Sequence, residues 1–386
     1  MKRRVCVVIT ARPSYSRVKT AMQAINSHPQ LELQTVVAAS ALLERYGRIE
    51  YQIAADGFNI DSRVRMVLEG EDPASMAKTT GLGIIELTTV FDNLRPDVVV
   101  TIADRFETLA TAAAATFMGI PLAHIQGGEV TGSIDERVRH AITKLADLHF
   151  PATARSREYL IRMGERPESI VLTGCPSIDL AHDVPDTDVL SFDPFSIYGG
   201  VGREFSYDDG YLVVMLHPVT TEYEQARSQA ATLLHAVKSF GKPAFWFWPN
   251  VDAGSDGTSK GIRAFREQNP DAKIHFFKNL PPHHFLELLK HSKLIVGNSS
   301  VGIRECAFLG VPTVNIGSRQ WGRERGRNVV DVEFVDREIV EAIDRQWTSG
   351  RFDRDTVYGD GNAGILIAEA LANFEFVRDK RLTYLT

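Results

Sequence analysis

Cysteine is scarce in this chain of 386 residues: Cys6, Cys175 and Cys306 are odd in number and scattered. That excludes a disulfide framework and a thiolate metal centre, and reads as buried thiols in a reducing compartment. The acidic residues carry no metal-ligand spacing either, so no metal is expected. Long hydrophobic runs are missing, which excludes a membrane-spanning helix. Lys2, Arg3 and Arg4 do precede the apolar run Val5–Ile9, but it ends at Ala11-Arg12-Pro13 without a cleavage signal. It is a first strand, not a signal peptide. An excess of positive charge is also lacking. The net charge of -6 argues against nucleic-acid or acidic-membrane partners, so an anionic ligand must be held by local clusters. A cytoplasmic protein is expected.

What is present is ordinary for a soluble fold, with 44% apolar and 24% charged residues. The length exceeds one small core and implies two domains. Val5–Ile9, Leu33–Val37, Val98–Ile102, Ile120–Ile125, Leu148–Phe150 and Ile170–Leu172 read as buried strands, with helices between them at Arg17–Ser27, Met76–Asn93 and Leu109–Phe117. Glu44–Gly47 and Glu69–Pro73 read as loops, possible flaps in function. From Val184 to Asp209 the composition shifts to Asp, Pro, Ser and Gly, an interdomain linker. The alternation then resumes: strands at Tyr211–Leu216, Ala244–Trp248, Lys273–Phe277, Leu294–Val296 and Thr313–Ile316, helices at Glu222–Phe240 and Pro282–Lys290. The expected architecture is α/β: two Rossmann-like domains with parallel sheets, at 1–183 and 210–362, and a C-terminal helix and tail at 363–386 returning towards the first. The cleft between two such domains is the default site.

The most informative stretch runs from His124 to His140. A strand turns through Gly127 and Gly128 into a helix that Ser133 and Glu136 would open as a capping box. Ile134, Val138, Ile142 and Leu145 mark its buried face; the other carries Asp135, Arg139, His140 and Lys144. Ionisable residues at a glycine-softened strand-to-helix turn fit ligand binding; an Asp135–Arg139 surface pair is the plainer alternative. Asp104-Arg105 follows a strand directly, suited to proton transfer and phosphate contact, although Asp104 could simply cap the next helix. Arg12 and Ser16 follow the first strand. In the second half, Gly297-Asn-Ser-Ser-Val-Gly302 combines a turn rich in backbone N–H groups with Ser299 and Ser300, and Glu305 could accept from a ribose diol. Arg319 would close that site. His217 ends a strand and could be structural.

Arg12…Ser16, Asp104-Arg105-Phe106, Gly127-Gly128-Glu129 through Asp135 to Arg139-His140, Gly174-Cys-Pro-Ser177, His217-Pro-Val-Thr-Thr221, Pro249-Asn-Val-Asp-Ala-Gly-Ser255 and Gly297-Asn-Ser-Ser300…Arg304-Glu305 are mutually ordered along nearly the whole chain. In these motifs the chain resembles the hydrolysing UDP-N-acetylglucosamine 2-epimerases of sialic-acid-type sugar synthesis. The resemblance implies a GT-B-like fold, a homodimer or homotetramer, a UDP-sugar substrate and no cofactor. It also implies a two-stage reaction: UDP leaves across C1–C2 to give 2-acetamidoglucal, and water then adds to release N-acetylmannosamine. By the same resemblance Asp104, Glu129, Asp135 and His217 are catalytic candidates. Arg12, Ser16, Arg105, Gln126, Arg139, Asn250, Ser299, Ser300, Glu305 and Arg319 would hold the nucleotide sugar, with backbone near Leu280 reading the uracil. Family members carry Glu before the two glycines where this chain has Gln126, whose amide cannot shuttle a proton. That leaves open a UDP- or GDP-linked 2,4-diacetamido-trideoxy sugar as substrate. A non-hydrolysing epimerase, a GT-B glycosyltransferase and an inactive nucleotide-sugar binder are the rival readings.

Overall fold

Apolar strands buried on both faces build the first sheet. The computed structural model describes residues 1–44, 48–70, 72–102, 104–131, 134–249, 254–377, 380, 381 and 383. The first sheet comprises β1 (Arg3–Ile9), β2 (Leu31–Ala38), β3 (Ser62–Val64), β4 (Val98–Ile102), β5 (Leu122–Ile125) and β6 (Leu148–Phe150). All pairings are parallel, in the order β3-β2-β1-β4-β5-β6. Strand geometry sends Val5, Val7 and Ile9 into one core layer and Cys6 and Val8 into the other. Order reverses between β1 and β4, where open sheets of this kind hold ligands beyond their carboxyl ends.

A second sheet comprises β7 (Val201–Gly202), β8 (Leu212–Met215), β9 (Ala244–Phe247), β10 (Ile274–Phe277), β11 (Leu294–Gly297), β12 (Thr313–Ile316) and β13 (Val329–Val332). Its order is β13-β12-β11-β8-β9-β10-β7, parallel except for β7. Two compact units result: residues 1–130, 134–180 and 357–386, and residues 131–133 and 181–356.

Several elements differ from their sequence expectation. Residues 184–209 are not bare linker: Pro194–Tyr198 is helical and β7 pairs with β10. Phe195, Phe205 and Tyr207 ring Phe245 there, and Gly202 lets the backbone approach Ile274 too closely for any Cβ. Ile170–Leu172 forms a single bridge to His149, because Gly174 (φ 81°) turns the chain towards Tyr358. The helix expected from Arg17 is two, Arg12–Ser16 and Lys19–Ser27, divided at Val18. The helix expected from Glu222 starts as a 3-10 turn, Thr220–Gln225, kinked at Glu222 itself. Arg45 to Gly47, Glu71 and the Ser133 cap lie outside the described residues.

The last helix, Ala363–Asn373, packs on Lys19–Ser27, with Gly364 set against the backbone of Thr20. Its entry is fixed by buried Asp179, which accepts from the N–H groups of Ala363 (2.9 Å) and Gly364 (2.8 Å) and from Thr20 Oγ1 (2.7 Å). One carboxylate thus caps a helix 184 residues away. Among the described residues no helix is long and apolar enough to cross a membrane. The three cysteines are buried and unpaired with one another. Asp179→Ala is expected to lower the unfolding free energy by roughly 1–3 kcal/mol, read as an earlier urea midpoint.

Candidate functional site

At the carboxyl edge of the first sheet, β4 ends at Ile102 and β5 at Ile125. Gln126 takes a left-handed backbone (φ 67°), and Gly128 (φ 79°) passes so close to Ser156 that an added Cβ would lie 2.3 Å from its carbonyl. The turn therefore needs glycine there. It delivers the chain into the helix Ile134–Leu145, which starts at the expected residue.

Arg139 on that helix is fully buried, not on a solvated face. Its Nη1 donates to the carbonyl of Glu129 at 2.7 Å, and its Nη2 pairs with the carboxylate of Asp104. Burial works against the guanidinium charge, but Asp104, Glu129 and Asp135 together outweigh it and hold the pKa above the ordinary arginine value. All three carboxylates singled out in the sequence thus act on one buried cation. Asp104 is committed to this ion pair, and the next helix, Phe106–Phe117, is opened by Arg105 without a side-chain cap.

Arg105 is less available than expected. Its guanidinium forks onto buried Glu107, with contacts of 3.2 and 3.1 Å, so its charge is largely compensated before any phosphate arrives. Ser16 Oγ donates to the Pro13 carbonyl (3.1 Å) inside its own turn. Arg12 is half-buried, and burial lowers its pKa to about 10, still cationic at neutral pH.

In the second unit, Gly297 (φ 136°) lies against Met215, leaving no space for a Cβ. The chain then presents Asn298, fully buried, whose amide exchanges two 2.8 Å hydrogen bonds with the backbone of His217. The Asn298 carbonyl accepts from Arg319 Nη1 (3.2 Å) and Gln320 Nε2 (2.8 Å). His217, Asn298 and Arg319 are thereby brought together. Ser299 caps a helix of only four residues, Ser300–Ile303, accepting from the N–H of Val301 at 3.4 Å. Glu305 opens the next short helix, not the first turn of a long one, because the chain kinks at Arg304. Its carboxylate is buried, and Oε2 meets no donor among the described residues. Leu280 points its side chain into the aromatic core. Asn250 lies outside the described residues.

A family model described as UDP-N-acetylglucosamine 2-epimerase matches residues 23–372. The chain belongs to this family. A hydrolysing UDP-N,N'-diacetylbacillosamine 2-epimerase of Legionella pneumophila is 33% identical over 363 residues, spanning 94% of this chain and 93% of that one. A UDP-N-acetylglucosamine 2-epimerase of Neisseria meningitidis is 30% identical over 362 residues, with 94% and 92% covered. Among solved structures, the Methanocaldococcus jannaschii UDP-GlcNAc 2-epimerase in complex with UDP-GlcNAc and UDP matches with a TM-score of 0.77 at 16% identity, covering 95% and 99%. The fold of this epimerase-family chain is GT-B-like, with two parallel-sheet α/β domains.

Two residues of the epimerase chain escaped the sequence reading. Asn298 sits inside a motif noted for its serines, and an amide between a glycine and a serine at a strand end was the available signal. Cys175, a buried thiol within the Gly174-Cys-Pro-Ser177 motif, was given no role. It lies 2.8 Å from Gln126 Nε2 and 2.9 Å from Ser177 Oγ, while Gln126 Oε1 is buried and meets no donor among the described residues. Arg139→Met would leave the Asp104 carboxylate facing an apolar side chain; a loss of about 3–5 kcal/mol in unfolding free energy is expected at pH 7 by urea titration.

Proposed function

We propose that the chain is a hydrolysing sugar-nucleotide 2-epimerase, taking UDP-GlcNAc and water to N-acetylmannosamine and UDP. The observation that carries the reading is buried Arg139, paired with the Asp104 carboxylate, bonded to the Glu129 carbonyl and in the field of Asp135. The reaction needs a base for the C2 proton as the C1–O bond to UDP breaks. It then needs a proton delivered to C2 of 2-acetamidoglucal from the opposite face while water oxygen bonds to C1. One carboxylate paired with a fixed cation and two more within its field are the groups assigned to those proton transfers. Arg12 and Arg319 are the cations for the departing diphosphate, with Arg105 a weaker contributor because Glu107 occupies its fork. His217 and Ser299, Ser300 and Glu305 serve the nucleotide, and Glu305 Oε2, which meets no donor among the described residues, is the acceptor for a ribose hydroxyl.

The hydrolysing outcome is supported by relatives whose names carry it, at 33% and 28% identity. A second reading, a UDP- or GDP-linked 2,4-diacetamido-trideoxy sugar, is favoured by Gln126. Its Oε1, which meets no donor among the described residues, is an acceptor for an amide N–H, of which that sugar has two. The Legionella relative is named for such a substrate.

An NMR time course in D2O with each sugar nucleotide tests this. Free UDP together with a 2-epimeric sugar deuterated at C2 is the expected result; an intact nucleotide sugar epimerised at C2 would replace it with the non-hydrolysing reaction. Asp104→Asn and Asp135→Asn are each expected to lower kcat by at least about 100-fold. Turnover near the unsubstituted level in either variant would remove that residue from the proton transfers.

A further inference from the structure

The helix Ile134–Leu145 carries Asp135 in its first turn and Arg139 at its middle, and its far end is held by a cluster of charged residues. Lys380, from the tail beyond the last helix, donates to the carbonyls of Thr143 (2.9 Å) and Ala146, the exit of that helix. The same ammonium pairs with Glu165 Oε2 at 2.7 Å. Glu165 is buried and is shared further: His149 on β6 meets Oε2 at 3.0 Å, and Lys144, on the helix itself, meets Oε1 at 2.8 Å. Thr383 adds a backbone bond to Gly164 at 2.8 Å.

We propose that Glu165 and Lys380 are positioning residues for the reaction, a clamp that sets the axial placement of the helix bearing Asp135 and Arg139. Three observations support it. The clamp grips the helix twice, at its last carbonyls through Lys380 and at Lys144 through Glu165. A cation at a helix carboxyl end satisfies carbonyls that have no partner within the helix. Burial resists ionisation of Glu165, but His149, Lys144 and Lys380 overcome it and hold its pKa at about 2, so the carboxylate is charged throughout the neutral range. A helix transmits axial displacement along its length, and a misplacement of about 1 Å at reacting groups costs on the order of 100-fold in rate. None of the clamp residues belongs to the proposed reacting groups, so they act through the helix and not on substrate.

The proposal rests on the functional reading above, and its test separates the two. In the full chain, Lys380→Met is compared with Lys380→Arg and Glu165→Gln, using the nucleotide sugar that the unsubstituted chain turns over. For Lys380→Met, kcat is expected to fall about 10-fold with KM within about twofold, and Lys380→Arg to recover most of the rate. Amide hydrogen exchange across residues 138–146 is expected to speed up at least about 10-fold in Lys380→Met and Glu165→Gln, with the second unit unchanged. Unchanged exchange there, or a uniform acceleration through the whole first unit, would overturn the clamp. So would a local acceleration with kcat intact. If the unsubstituted chain turns over no nucleotide sugar, the functional reading fails and the positioning role with it, while the exchange result still says whether the clamp holds the helix.

Discussion

A guanidinium without solvent is the constraint on which the first unit's sheet edge depends. Arg139 is always charged and fully buried, so the chain around it must supply negative charge and carbonyl oxygen in fixed places. Asp104 comes from the end of β4, the Glu129 carbonyl from the turn after β5, and Asp135 from the helix's own first turn. Three segments that would otherwise be independent loop ends are thereby coupled. Displacing Asp104 would take the paired acid away from that ion in a dry interior. The neighbouring Arg105–Glu107 fork follows the same logic, a second cation near the sheet edge balanced by its own buried acid.

In the second unit the corresponding task falls to neutral groups. Asn298 bridges the ends of β8 and β11 by bonding the His217 backbone in both directions, while its own carbonyl collects Arg319 and Gln320. An amide offers donor and acceptor from one side chain, so it can fix a strand end without adding charge. The two units thus organise their sheet edges differently, one around an ion and the other around an amide.

Legibility in the sequence followed the range of the interactions. Both parallel sheets were readable because continuous apolar runs announce doubly buried strands, and the helix at Ile134 was readable from its periodicity. The short β3 and β13 were not, nor was β7, which owes its place to aromatic packing around Phe245 and two glycines rather than to a run of its own. Asp104, Glu129 and Asp135 could be named from motif resemblance. That they share a buried arginine could not, since periodicity assigned Arg139 to the outer face of its helix. A lone arginine on an amphipathic helix looks solvated until the acids that neutralise it, one of them 35 residues away, are seen beside it. The Gln126–Cys175–Ser177 contacts and the Lys380 cluster are of the same long-range kind.

The first unit is discontinuous, and this has a consequence for how the molecule is made. Its sheet is complete once Phe150 has been synthesised, yet the helix that covers Lys19–Ser27 is capped by Asp179 only after residues 363 and 364 exist. Between those events residues 181–356, nearly all of the second unit, emerge from the ribosome. At ~5–20 residues per second, the apolar surface around Ala21, Met22 and Ile25 waits many seconds for Ile367 and Leu371 to bury it. During that interval the nascent chain carries an unfinished core, and its exposure to chaperones or to aggregation is set by the pace of translation through the middle of the message.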